Sequence, residues 1–266
     1  MKTVVITGST RGLGWELAEN FRKNDFNVVI SGTKEETVLS AAEKLRSVSG
    51  TGEVLGVRCN VTSSEDIEAL AGAAKSKFGS VDIWINNAGV NQSAGYSWEL
   101  DEKEIRSLLD VDLRGAMLGS NVAVRLMAEQ GFGAIYNVEG FGSNDAFQPF
   151  LAVYGTAKRG VTYFSDALAN EINDKKLNIL VGKLSPGIMI TDFLTSSSGG
   201  QGTVELSDKV KKVYNILGDK PDVIAEFLVK KMLKNKKNGS RIAWLTGSKA
   251  AFRFMTAGFN KRNFFD

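Results

Sequence analysis

Short runs of β-branched and apolar residues alternate with amphipathic runs along the whole chain. Runs such as TVVIT and VDIWINN have the length and composition of buried strands. The predicted strands are 3–7, 27–31, 53–60, 81–87, 134–138, 178–185 and 241–246, and the predicted helices are about 12–24, 35–47, 63–78, 102–130, 154–173 and 221–235. Strands that alternate with helices form βαβ units, in which helices cover both faces of a parallel sheet. We therefore predict one α/β domain over 1–266, doubly wound around a seven-stranded parallel sheet.

A glycine-rich segment, TGSTRGLG at 7–14, joins the first predicted strand to the first predicted helix. Gly8 allows a tight turn off the strand, and Gly12 and Gly14 allow the backbone to approach a pyrophosphate. The N-terminus of the following helix attracts such an anion. Because the glycines lie between a strand and a helix, the segment predicts a nucleotide site.

The end of the second predicted strand indicates which nicotinamide cofactor binds. NAD sites usually have an acidic residue there, which binds the ribose 2′-hydroxyl. Here Gly32 takes that position, Thr33 and Lys34 follow it, and Arg11 lies in the glycine-rich segment. Two cations without an immediate acid favour a 2′-phosphate, and hence NADP(H). The alternative is that both cations are merely exposed and that Glu35 binds the ribose.

Composition excludes several other classes of function. A net charge of +3 favours neither nucleic acid nor a membrane surface as partner, and no apolar run is long enough to span a membrane. The chain has no histidine and one cysteine, Cys59, so His-based triads, His-ligated metals and an internal disulfide are excluded. We expect no metal site. With no leader before the first strand, we expect a cytoplasmic protein.

Four motifs resemble those of the short-chain dehydrogenase/reductase family, in the family's order and spacing. They are TGSTRGLG, NNAG at 86–89, YGTAK at 154–158 and LSPGIMIT at 184–191, and they extend over most of the chain. The resemblance implies a Rossmann fold, an NAD(P)-dependent oxidoreductase that acts on CH–OH or C=O groups, a small-molecule carbonyl substrate, and a homodimer or homotetramer.

The YGTAK motif contains the pair of residues that the chemistry needs. Reduction of a carbonyl requires a proton donor, and a free tyrosine has a pKa of about 10. Lys158 follows Tyr154 by one helical turn, so the two side chains share a face. An ammonium group nearby favours tyrosinate and lowers the tyrosine pKa. We predict Tyr154 as the general acid; the resemblance implies that Lys158 also holds the nicotinamide ribose.

The resemblance also implies where the cofactor lies. The adenine would contact the end of strand three, the ribose groups would lie beside NNAG, and the loop after strand six would contact the carboxamide. The implied cofactor-binding residues are Gly8, Thr10, Arg11, Gly12, Leu13, Gly14, Thr33, Lys34, Asn60, Val61, Asn87, Ala88, Gly89, Tyr154, Lys158, Pro186, Gly187, Ile188 and Thr191.

One departure from the family concerns the serine that helps to hold the substrate oxygen. The family pattern N-x-S-S after strand five is NVEG here, with Glu139 and Gly140 at the serine positions and Ser143 three residues beyond. We predict that the small residues of GFGS let the loop fold back, so that Ser143 replaces the missing donor. The alternative is that backbone N–H groups of this loop hold the oxygen and that Ser143 only caps a turn with Asn144 and Asp145.

A second departure lies in the long helix predicted over 102–130. Asp112 stands where the family commonly has asparagine. Its carboxylate would accept hydrogen bonds and favour the charged form of Lys158. The alternative is a structural polar residue at a helix irregularity. The predicted catalytic set is thus Tyr154, Lys158, Ser143 and Asp112.

The segment NVEGFGSNDAFQPFLAVYGTAK and the C-terminal tail resemble the chlorophyll(ide) b reductases, which reduce a 7-formyl group to hydroxymethyl with NADPH. The resemblance implies a carbonyl reductase for a large substrate. A generic 3-oxoacyl or sugar reductase and a non-catalytic NADP-binding regulator are the alternatives. We interpret 192–218 as a mobile segment that leads into a short helix and overhangs the ligand-binding edge of the sheet as a substrate lid; the alternative is a plain surface loop. The aromatic extension 248–266 would line a pocket for a flat ligand, meet a partner or membrane, or pack under the sheet.

Overall fold

The computed structural model describes residues 1–93, 95–190, 207–259 and 262–265. Of the residues predicted to have a function, Thr191 lies outside these ranges, as does the 192–206 part of the predicted lid.

Seven strands form one sheet in the order β3-β2-β1-β4-β5-β6-β7, and every neighbouring pair is parallel. The strands are Thr3–Ile6 (β1), Asn27–Gly32 (β2), Val54–Arg58 (β3), Ile83–Asn86 (β4), Gly133–Val138 (β5), Ile179–Ser185 (β6) and Ser240–Ala243 (β7). This confirms the predicted doubly wound fold. The strand order reverses between β1 and β4, and ligands of such sheets bind beyond the carboxyl ends of the strands at that point.

Helices cover both faces of the sheet. They are Gly12–Lys23 (α1), Glu35–Arg46 (α2), Ser64–Phe78 (α3), Glu102–Leu108 (α4), Gly115–Gln130 (α5), Ala152–Asp174 (α6), Asp208–Leu217 (α7), Pro221–Met232 (α8) and Gly247–Thr256 (α9). One buried cluster lies between the sheet and α1, α2 and α8, and a second lies between the sheet and α3, α5 and α6. Val4 and Ile6 belong to the first cluster and Val5 to the second, as the two-residue period of a strand requires.

The helix predicted over 102–130 is not a regular α-helix. A π-helical turn, Leu109–Arg114, separates α4 from α5. Such turns insert an extra residue into the helix and are frequent at functional sites. In this chain the turn carries Asp112, whose side chain is buried.

None of the helices in the described ranges combines the length and apolar character needed to cross a membrane.

The described C-terminal residues, α9 and 262–265, contact α7 and its C-terminal end. Phe252, Phe254 and Phe259 are exposed, so these three side chains do not pack beneath the sheet. The tail is attached through Asp219, which is buried between α7 and α8 and receives hydrogen bonds or ion pairs from Trp244 (2.6 Å), Arg253 (2.7 Å) and Arg262 (2.5 Å). Burial would raise the pKa of Asp219, but these three donors outweigh it and lower the pKa.

Candidate active site

The glycine-rich segment turns off β1 at the switch point of the sheet. Gly8 has φ = +60°, and a Cβ there would lie 2.7 Å from the Cα of Ala88, so only glycine fits between the ends of β1 and β4. The first turn of α1 has no acidic residue and its N-cap makes no side-chain hydrogen bond. A Cβ on Gly12 would meet open space. An uncapped helix N-terminus beside an open glycine loop fits the pyrophosphate of a dinucleotide.

Asn87 of the NNAG motif connects the two central strands. Its side-chain amide donates to the carbonyls of Thr7 and Gly8, both at 2.9 Å, and the Thr7 hydroxyl accepts from the N–H groups of Asn87 and Ala88. These bonds fix the carboxyl ends of β1 and β4 beside each other. The predicted contact of Asn87 and Ala88 with ribose stays a prediction.

The adenosine end of the predicted cofactor site contains two unpaired cations. Arg11 and Lys34 are both exposed, and neither forms an ion pair within the described part of the chain. Thr33 and Glu35 are exposed beside them. The side chain of Asn60 accepts from the N–H and hydroxyl of Thr62, so it closes the turn that leads into α3.

Three of the four predicted catalytic residues form a buried group at the start of α6. The Lys158 ammonium lies 2.9 Å from Asp112 Oδ2 and 5.6 Å from the ring centre of Tyr154. Asp112 Oδ1 accepts from the backbone N–H of Val90 at 2.7 Å. A Cβ on Gly89 would lie 3.2 Å from Asp112 Oδ2 and 3.5 Å from Lys158 Nζ. Asp112 therefore lies at a helix irregularity and also pairs with Lys158, so both interpretations of this residue describe its position.

The electrostatics of this group differ from expectation in one respect. Burial would lower the pKa of Lys158, but Asp112 and Tyr154 together outweigh burial and raise it, and the effect of Asp112 has the predicted direction. Burial raises the pKa of Tyr154 to about 12; Lys158 opposes this, whereas Asp112 and Tyr214 add to it. Lys158 thus lowers the Tyr154 pKa, as predicted. The prediction is wrong for the net pKa, which burial and the other two groups raise. Tyr154 is protonated at neutral pH, the form that donates a proton.

The loop after β5 lies directly on α6, because two glycines permit it. A Cβ on Gly140 would lie 2.3 Å from the Tyr154 hydroxyl oxygen and 2.9 Å from Lys158 Cγ. Gly142 has φ = +94°, and a Cβ there would lie 2.5 Å from the Cα of Gly155. The family's serine side chain has no room at position 140, because the tyrosine hydroxyl occupies that space.

Ser143 is buried in the same loop and its hydroxyl has two partners. It accepts from the N–H of Gly140 and donates to the carbonyl of Lys158, both at 3.2 Å. Arg159 donates to the Ser143 carbonyl at 3.0 Å. The hydroxyl thus has a structural role in this loop, as the alternative supposes, but it closes the turn on Gly140 and not on Asn144 or Asp145. That the Ser143 hydroxyl donates to the substrate oxygen stays a prediction. It would require the hydroxyl to break its hydrogen bond to the Lys158 carbonyl.

Sequence reasoning missed the role of Glu139. Its side chain is fully buried and accepts from Arg241 Nε of β7 at 2.6 Å and from the Thr162 hydroxyl of α6 at 2.9 Å. Thr162 lies one turn after Lys158, and its hydroxyl is 3.2 Å from the Lys158 carbonyl. The acid therefore connects the loop to β7 and to the catalytic helix. The one sequence signal was an acid directly after an apolar strand.

Gln92 was missed as well. It is buried, and its side-chain oxygen accepts from the N–H groups of Val153 and Tyr154, both at 3.1 Å. These N–H groups belong to the first turn of α6, where a helix has no internal acceptors. The loop after β4 thereby holds the backbone of the predicted general acid.

Replacing Arg241 by methionine is expected to lower the free energy of unfolding by about 1–3 kcal/mol, because a buried carboxylate loses its charged partner. The matched control is Arg46→Met, which removes an exposed arginine from its pair with Glu43 and is expected to change stability by less than about 0.5 kcal/mol. Urea denaturation of both variants provides the measurement. Equal losses would show that the Glu139–Arg241 pair contributes no more than a surface pair.

Known proteins are similar to this chain in sequence, over the residues that form the candidate active site. The sequence model described as short chain dehydrogenase matches residues 2–201. The chain belongs to the short-chain dehydrogenase family. The matched residues include the four motifs and the Tyr154–Lys158 pair, and they also include Gly140 and Asp112, the two departures from the family pattern noted in the sequence.

Two similar relatives of this short-chain dehydrogenase are plant proteins. The probable chlorophyll(ide) b reductase NYC1, chloroplastic, of Arabidopsis thaliana is 32% identical over 100% of this chain, which spans 55% of that protein. The chlorophyll(ide) b reductase NOL, chloroplastic, of Oryza sativa subsp. japonica is 34% identical over 95% of this chain and 74% of its own. The chain thus spans about half the length of NYC1. Both relatives are chloroplastic, so a cytoplasmic location stays a prediction for this chain.

A solved structure shows how closely the fold is shared. The 3-ketoacyl-(acyl-carrier-protein) reductase from Brucella melitensis, complexed with NADH, has a TM-score of 0.79 and 27% sequence identity, and the match covers 93% of this chain and 98% of that one.

Proposed function

We propose that this short-chain dehydrogenase is an NADPH-dependent carbonyl reductase for a formyl or keto group on a large substrate, with the 7-formyl group of chlorophyll(ide) b as the specific candidate. The observation that carries the proposal is the buried, protonated Tyr154 beside the Lys158–Asp112 pair. The candidate substrate is supported by the two plant relatives, which are named chlorophyll(ide) b reductases, and by the resemblance of residues 137–158 to that group.

The chain's own residues supply the proton and stabilise the charge that the reaction leaves. Bound NADPH would supply the hydride for the carbonyl carbon. The Tyr154 hydroxyl donates its proton to the carbonyl oxygen, which becomes the alcohol, and a tyrosinate remains. The Lys158 ammonium stabilises that tyrosinate, and Asp112 keeps Lys158 charged and in place. Tyr154 carries its proton at neutral pH, and the Lys158 ammonium opposes the effect of burial on the Tyr154 pKa and so assists the proton transfer.

Two candidates could donate the hydrogen bond to the substrate oxygen that the missing serine would otherwise supply. Ser143 is the predicted donor, and its hydroxyl is already hydrogen-bonded within the loop. The backbone N–H groups of Phe141 and Gly142 form no hydrogen bond within the described residues, and they lie in the segment that covers Tyr154. Either donor would stabilise the negative charge that develops on the substrate oxygen.

Cofactor choice depends on Arg11 and Lys34. The double variant Arg11→Ala/Lys34→Ala is expected to raise the Kd of NADPH at least about tenfold, because hydrogen bonds to charged groups contribute about 1.5–3 kcal/mol each. The Kd of NADH should stay nearly unchanged. Fluorescence titration measures both constants, and Lys44→Ala, an exposed lysine in the last turn of α2, is the control. If the two constants rise together, or neither moves, Glu35 becomes the candidate for binding the ribose.

A single-turnover assay tests the proposed function. The protein is mixed with excess NADPH or NADH and with chlorophyllide b, and the product is identified by mass and absorbance. Conversion to the 7-hydroxymethyl product with NADPH is the expected result. Binding of NADPH without conversion of chlorophyllide b or of smaller aldehydes and ketones would contradict the proposal and favour a regulatory protein.

A further inference from the structure

Three aromatic rings form a small exposed cluster on the loops after β4 and β5. Tyr96 and Trp98 are stacked, with ring centres 4.7 Å apart and planes 3° from parallel, and Phe150 meets Tyr96 edge-on at 4.9 Å. We call Tyr96, Trp98 and Phe150 the aromatic platform. Trp98 is 78% exposed and the other two are 44% exposed. Rings this exposed contribute little to the core, so their ordered arrangement calls for another explanation.

The backbone holds these rings in place at a conformational cost. Phe150 has φ = +67°, a left-handed conformation that is unusual for a bulky residue and that concentrates at functional sites. The turn from Tyr96 to Glu99 is closed by two hydrogen bonds: the Glu99 carboxylate accepts from the Tyr96 N–H at 2.8 Å, and the Glu99 N–H donates to the Tyr96 carbonyl at 2.9 Å. This turn places Trp98 against Tyr96.

The aromatic platform is continuous with the candidate active site. The Gln92 side chain, which accepts from the N–H of Tyr154, also contacts the carbonyl of Gly95 at 3.5 Å, directly before Tyr96. On the other side, Phe150 precedes the first turn of the helix that carries Tyr154. Both loops that form the platform therefore border the general acid.

We propose that the aromatic platform binds the planar ring system of the substrate and holds its carbonyl group toward Tyr154. The inference rests on the proposed function and specifies it: the substrate is an aldehyde or ketone attached to an extended, flat π-system. Flat rings stack in offset or edge-on arrangements, and the exposed face of Trp98 offers such a partner. A planar π-system can lie along the exposed face of Trp98 without loss of conformational freedom, whereas a flexible aliphatic chain must become ordered to make the same contact, so the platform favours planar substrates.

The test compares two variants with one control. Trp98→Ala removes the most exposed ring; Phe150→Gly removes the edge-on ring and leaves a residue that accepts the left-handed backbone. Phe147→Ala is the control, because Phe147 lies on the same loop, is 86% exposed and makes no ring contact with the described residues. For each protein, kcat and KM are measured with chlorophyllide b and with propanal. The Kd of zinc protoporphyrin IX, a flat macrocycle without an aldehyde or ketone, is measured separately by tryptophan fluorescence.

We expect each platform variant to raise the KM of chlorophyllide b and the Kd of zinc protoporphyrin IX about tenfold, with kcat and the constants for propanal unchanged. The control should behave as the wild type. Four results would each overturn the inference. The platform variants could leave KM and Kd unchanged, lower kcat alone, or change the oligomeric state while Kd stays the same. The fourth result is a wild type that does not bind the porphyrin. If the wild type reduces neither aldehyde, the proposed function fails. A porphyrin Kd that still depends on Trp98 and Phe150 would then support the platform as a binding site on its own.

Discussion

Replacing Tyr154 by phenylalanine is expected to lower kcat by about 10²–10⁴-fold, the range that a general acid contributes. The ring of phenylalanine keeps the packing of α6 against the loop after β5, so the fold and the cofactor site should persist. Only the proton donor is lost. Single-turnover reduction with saturating NADPH measures the loss, and titration with NADPH measures cofactor binding, which should be nearly unchanged.

Tyr163→Phe is the matched control for this variant. Tyr163 lies on the same helix, but its side chain is 77% exposed, so removal of its hydroxyl should leave kcat unchanged. A Tyr154→Phe protein that retains most of its rate would mean that another group protonates the product. The Lys158 ammonium, 5.6 Å from the Tyr154 ring centre, would then be the first candidate.

Gly140→Ser restores the family's residue and is nevertheless expected to lower kcat about 10²-fold, because misplacing a catalytic group by about 1 Å has that effect. The new Cβ would lie 2.3 Å from the Tyr154 hydroxyl oxygen, which is far inside van der Waals contact. Either the tyrosine hydroxyl or the whole loop must move. The rate with chlorophyllide b and the free energy of unfolding provide the measurements.

Two further variants separate steric exclusion from the chemistry of the hydroxyl. Gly140→Ala adds the Cβ without an oxygen, and it should lose as much activity as Gly140→Ser if space decides the outcome. Gly72→Ser is the control, because a Cβ on this glycine of α3 meets open space. A Gly140→Ser protein that is faster than the wild type would show that a hydroxyl at this position was lacking and that the loop adapts to it.

Most of the fold was predictable from the hydrophobic periodicity of the chain and from the turn and helix-end residues between its segments. Strands of four to seven residues alternate with amphipathic helices, and the parallel sheet follows from that alternation. The π-helical turn at Leu109–Arg114 was not predictable as such, because a change of register inside a helix has no composition signal. The helix α9 was also missed, since its exposed aromatic residues do not produce the pattern of a core-facing helix.

The candidate site was predictable where it depends on local motifs, and not where it depends on distant side chains. Tyr154, Lys158 and Asp112 were found because their spacing matches a family pattern. Glu139 and Arg241 are 102 residues apart, so sequence offers no means of pairing them. The net pKa of Tyr154 was not predictable either. It depends on burial and on three neighbouring ionisable groups, and only the fold determines their distances.

The attachment of the C-terminal tail has a thermodynamic consequence for the loop after β6. Asp219 bonds through its backbone to Ile188 and Ile190 and through its carboxylate to Arg253 and Arg262. A ligand that binds only when the loop has this conformation must also make docking of the tail more favourable. By linkage, docking of the tail must make binding of that ligand more favourable by the same free energy. Docking of Arg253 and Arg262 on Asp219 would then set part of the affinity for such a ligand.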